Sequence, residues 1–108
     1  MAWIYLFIAG LFEIGWAIGL KFTEGFTKPL PSIITIIGMI LSFYFLSDAV
    51  KTIPIGTAYA IWTGIGAVGT AILGIILFNE SKEFLRIIFI CFIVVGIVGL
   101  KIFSEVKV

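Results

Sequence analysis

The stretch Ala2-Trp3-Ile4-Tyr5-Leu6-Phe7-Ile8-Ala9-Gly10-Leu11-Phe12-Glu13-Ile14-Gly15-Trp16-Ala17-Ile18-Gly19-Leu20 carries one charge, and that charge stands in its middle. A run of this length is close to the ~20 apolar residues that a helix needs to cross a bilayer. An uncompensated carboxylate in hydrocarbon costs at least ~2.5–3.5 kcal/mol. No basic residue lies within a turn of Glu13. Glu13 is therefore either neutral much of the time or meets a cation from outside the chain, and both options point to transport.

Working outward, the same pattern recurs. The chain has 108 residues, 62% of them hydrophobic and 12% charged. A soluble fold this small buries too little of its surface to hide so much apolar material. The apolar residues fall into four runs, about 2–20, 30–50, 55–78 and 84–103, separated by short polar breaks. The expected architecture is an all-α membrane protein with four transmembrane helices in one domain spanning 1–108. The first run has no positive leading segment, carries a carboxylate and lacks a small-residue cleavage site, so it reads as a retained helix rather than a signal peptide.

Gly25 and Pro29 punctuate the first loop, which Lys21, Glu24 and Lys28 solvate. Thr52-Ile53-Pro54 makes a tight turn between the second and third runs, and Asn79-Glu80-Ser81-Lys82-Glu83 forms the third break. A net charge of +1 and the lack of histidine give no reason to expect nucleic-acid binding, a metal or a cofactor. No enzymatic constellation is assigned. Cys91 reads as a small apolar residue inside the fourth run.

Orientation normally follows an excess of Lys and Arg in cytoplasmic loops. One side has Lys21, Lys28, Lys82 and Arg86; the other has Lys51, Lys101 and Lys107. That near balance suits a chain that inserts both ways and pairs with its own inverted copy, as an antiparallel homodimer. The alternative is a weak charge signal overridden by an insertase or a partner chain.

Helical periodicity puts Ala9, Gly10, Trp16 and Ala17 on the face of Glu13. Small residues beside the acid, Gly10 and Ala17, permit close approach of a backbone or a ligand. Trp16 is only one turn from Glu13, and a cation paired with the carboxylate can rest on its ring. Tyr59 and Trp62 share a face of the third run, where they either wall the same pocket or serve as helix packing. Ser42, midway along the second run, either reaches the acid or a ligand or back-bonds to the carbonyl one turn before it. Gly64 and Gly66 suggest a kink. Gly96 and Gly99 suggest a close-packing dimer face. Asp48, three residues before Lys51, reads as a locally paired charge near a helix end.

The segments Ala2-Trp3-Ile4, Gly10-Leu11-Phe12-Glu13-Ile14-Gly15-Trp16, Leu20-Lys21, Gly25-Phe26-Thr27, Pro31-Ser32, Lys51 through Gly66, and Gly99-Leu100-Lys101 together resemble the small multidrug resistance family, and within it the guanidinium-exporter subtype. The resemblance covers nearly the whole chain. It implies a dual-topology antiparallel dimer in which the two copies of Glu13 bind either protons or a substrate cation. It also implies a site lined by Trp16, Ser42, Tyr59 and Trp62. Lys28-Pro29 and Asp48 depart from the pattern, the latter standing where a neutral residue is expected.

The expected activity is proton-coupled antiport of guanidinium or small guanidinyl cations across a bacterial cell membrane. Export of lipophilic quaternary ammonium cations, or service as one subunit of a paired heterodimer, is the alternative. A proton-conducting ring subunit fits four spans and the aromatic cluster less well. A partner chain without transport of its own has no use for the buried acid.

Overall fold

The computed structural model describes residues 1–106 and contains four helices: α1 (Ala2–Thr23), α2 (Pro29–Ala49), α3 (Ile55–Phe78) and α4 (Phe84–Val106). Each is long and apolar enough to cross a membrane. The first span outruns its expected end by one turn. Thr23 closes it, with Oγ1 donating to the Leu20 carbonyl at 2.8 Å and accepting the Phe26 amide at 3.2 Å. Glu24, Gly25 and Phe26 then take positive φ and reverse the chain. Ser104 to Val106 extend α4 rather than forming a tail. Lys107, counted in the charge balance, lies outside the described residues.

Pro29 starts α2 in the first turn, where its missing N–H leaves no intrahelical bond unmade. The turn to α3 is held by the Ala49 carbonyl, which accepts the amides of Thr52 and Ile53, and the Ile53 side chain is buried beneath it. Asp48 pairs with Lys51 at 3.2 Å.

The helices are built inside out relative to those of a soluble protein. The buried face of α2 is Ser32, Thr35, Ser42 and Ala49, while Ile33, Ile36, Ile37 and Ile40 point outward. Helices in lipid gain little from hiding leucine from a hydrocarbon solvent, so small residues that let backbones approach win the interior. α1 packs against both α2 and α3. α4 packs against α3 and reaches α1 where Lys101 Nζ lies 4.8 Å from the Trp3 ring.

Candidate functional site

Three glycines set the distance between α1 and α3. A Cβ added at Gly10 would come within 2.6 Å of Ile65, one at Gly69 would collide with Ile14, and one at Gly66 would collide with the Glu13 carboxyl group. Glu13 thus lies directly on the bare backbone of α3. Its Oε1 is buried and, among the described residues, has no hydrogen-bond partner. One turn on, Trp16 Nε1 is buried in the same condition. Trp16 itself seats against Gly38 of α2, where an added Cβ would come within 3.3 Å of its own.

Ser42 does not meet the acid. Its hydroxyl donates to the Ala9 carbonyl of α1 and accepts the indole N–H of Trp62, both at 2.8 Å. Nor does it bond to its own helix one turn back. An indole N–H and a hydroxyl in a dry interior each require an acceptor, and the chain Trp62–Ser42–Ala9 supplies both while tying α3, α2 and α1 together. Ala9 is one turn before Glu13, so the tie fixes the segment that carries the carboxylate.

The aromatic residues form a row. Trp16 meets Phe43 edge-on at 6.3 Å, Phe43 meets Trp62 at 5.6 Å, and Trp62 meets Tyr59 at 5.4 Å. Trp62 is buried, whereas Tyr59 is exposed at the end of the row.

Ala17 lines a recess of about 360 Å³ between α1 and α3. Its polar mouth is Lys21, Glu80 and Arg86, with Arg86 bound to Glu80 at 2.9 Å. Ala17 and Ala67 of its lining follow Glu13 and Gly66 by one turn and one residue in sequence.

The glycine pair Gly64 and Gly66 lies within α3, and both positions are sites of close helix contact. A Cβ at Gly64 would come within 2.9 Å of Ile97, and Gly66 backs Glu13. At Gly96 and Gly99 there is open space: an added Cβ at either meets no atom within 4 Å among the described residues.

The profile described as Small Multidrug Resistance protein matches residues 1–93. This chain belongs to the small multidrug resistance family. A protein of Proteus vulgaris named Guanidinium exporter is 62% identical over 104 residues, covering 96% of this chain and all of that one. Proteins of the same name from Yersinia pestis and Citrobacter freundii are 58% and 60% identical, covering 96% and 94% of this chain and 100% and 97% of their own length.

For this small multidrug resistance chain, three participants escaped the sequence reading. Gly66, expected at a kink, has a further part as the close approach for Glu13, which the residue string does not show. Phe43 was passed over as one apolar residue among many. The Ala9 carbonyl has no signature at all, because a backbone acceptor is invisible in a residue string.

Proposed function

We propose that this chain is a proton-coupled antiporter that exports guanidinium or small guanidinyl cations through a bacterial cell membrane as an antiparallel, dual-topology homodimer. The observation that carries the reading is the Glu13 carboxylate, pressed onto Gly66 with a buried oxygen that meets no hydrogen-bond partner among the described residues. Such a group needs either a proton or a cation, and it cannot hold both. Guanidinium is planar, permanently charged and able to give a carboxylate two parallel hydrogen bonds. Trp16, one turn away, offers a ring face to the same cation. The names of the relatives at about 60% identity support this substrate class over bulky lipophilic cations.

If only proton-loaded or substrate-loaded forms interconvert between inward- and outward-open states, a proton gradient drives the cation the other way. The homodimer is supported by the near balance of Lys and Arg across the loops and by the bare glycine face of α4. The test is uptake of radiolabelled guanidinium into proteoliposomes made with the purified chain. An acidic interior accelerates uptake in the wild type and has no effect in Glu13→Gln. Proton-driven uptake that persists in Glu13→Gln refutes the proposal.

A further inference from the structure

A second group of cation-binding character lies at the other end of α1 and α2. Tyr5, Tyr44, Phe45 and Asp48 enclose a pocket of about 130 Å³. This is well below the ~300 Å³ at which drug-sized sites begin, so only a small ligand fits. Its floor is the Phe45 ring, which Tyr5 meets at 5.7 Å and a tilt of 41°, and Tyr44 meets nearly perpendicularly at 5.4 Å. Tyr44 and Asp48 are four residues apart, hence stacked on one face of α2. Asp48 is the penultimate residue of that helix, where the outward-pointing carbonyls add negative potential that favours a cation. Rings, one carboxylate and a helix C-terminus all select the same charge.

The carboxylate is incompletely used. Lys51 Nζ contacts Oδ1 at 3.2 Å with a side chain that is 75% exposed, and among the described residues no hydrogen bond reaches Oδ2. An exposed pair of this kind contributes little and yields easily to a better-matched partner. Phe12, which precedes Glu13, stacks on Phe45 at 5.9 Å and 6°. Tyr5 and Glu13 are eight residues apart on α1, or ~12 Å along the axis.

We propose that Tyr5, Tyr44 and Asp48 form a peripheral binding site for a small planar cation of the guanidinium class, separate from the Glu13 site and set between the start of α1 and the end of α2. The choice of cation, and only that, rests on the function proposed above. Tyr44 is exposed and Tyr5 half-buried, so the rings are reachable from outside the bundle, and aromatic faces beside a carboxylate prefer a weakly hydrated guanidinium to sodium.

The test uses the purified chain carrying Glu13→Gln, titrated with guanidinium chloride against sodium chloride at equal ionic strength. Binding is followed by the NMR resonances of Tyr5, Tyr44 and Asp48. Saturable shifts are expected with guanidinium and not with sodium. Adding Asp48→Asn or Tyr44→Ala should weaken the apparent affinity at least tenfold, and Lys51→Gln should strengthen it two- to threefold by removing the competing ammonium. The milder Tyr5→Phe, which keeps the ring, should retain binding and guards against loss of the fold as the cause. Equal responses to the two salts, or shifts that survive Asp48→Asn, overturn the proposal. In the wild-type chain the Glu13 resonance reports the central site independently. A silent Glu13 beside a responsive Asp48 removes the export reading and leaves this one standing.

Discussion

α1, α2 and α3 on one side and α4 on the other solve different problems with the same apolar alphabet. The first three bring small and polar residues inward: Gly10, Gly66 and Gly69 bring α3 onto α1, and Ser42 bridges three helices. None of residues 84–103 is buried, and a Cβ added at Gly96 or Gly99 of α4 would meet nothing within 4 Å among the described residues. A glycine in a helix interior is a cost of ~1 kcal/mol unless something uses its missing side chain. In α3 the glycines are used within the chain. In α4 they are unused within it, and the proposed dimer would give that face an occupant.

Five substitutions break or sharpen this contrast. The largest effect belongs to Glu13→Gln, which removes the group that proton and cation share. Coupled guanidinium flux in proteoliposomes should fall at least ~100-fold while the helix content by circular dichroism holds, because the exchange deletes a charge-assisted pair and keeps the shape. Next comes the same change made in both regions. Gly66→Val drives a branched side chain into the Glu13 carboxyl group and should cost about 1–3 kcal/mol of stability along with most of the flux. Gly96→Val should leave the stability of the single chain unchanged and instead lower the dimer fraction in detergent, measured by sedimentation. If Gly66→Val is silent, the close approach of α1 and α3 is not what holds the acid.

A smaller loss follows Ser42→Ala, which orphans the Trp62 indole N–H and removes the second hydrogen bond from the Ala9 carbonyl. Intramembrane hydrogen bonds average ~0.6 kcal/mol and reach ~1.7, so flux should drop roughly three- to twentyfold, with Ser42→Thr partly restoring it. The smallest effect is that of Cys91→Ser. Cys91 is exposed on α4 and should tolerate replacement within ~0.5 kcal/mol. That variant also provides a background for topology: a single cysteine at Lys28 and another at Lys51 should each label from both membrane faces. Labelling of one position from one face alone contradicts dual insertion.

The helices themselves were legible because four runs of about twenty apolar residues admit few other structures. Their ends were less so. Thr23 continues α1 past Lys21, its hydroxyl accepting the Phe26 amide and donating to the Leu20 carbonyl, and hydropathy carries no trace of that. Glu13 was legible for a physical reason: a charge in hydrocarbon needs an explanation. Its surroundings were legible only in part. Trp16 follows from helical spacing, but the pairing of Ser42 depends on which helices touch and at what rotation, and both are tertiary facts. Gly64 and Gly66 illustrate the limit. Two glycines in a span fit a hinge or a contact equally well, and the contacts, with Ile97 and Glu13, are visible only once the facing side chains are placed. Asp48 was read as a paired charge, and it is paired; the aromatic residues around it come from two helices and could not be gathered from one.

The central claim is that one carboxylate serves proton and cation in turn. Guanidinium binding to the purified chain in weakly buffered detergent, with a pH indicator present, tests it directly. Proton release is expected on binding, diminishing in alkaline solution where Glu13 is already ionised, while the affinity for guanidinium weakens as the solution is acidified. Glu13→Gln should release none. Binding without proton release at any pH, or release that persists in Glu13→Gln, contradicts the account.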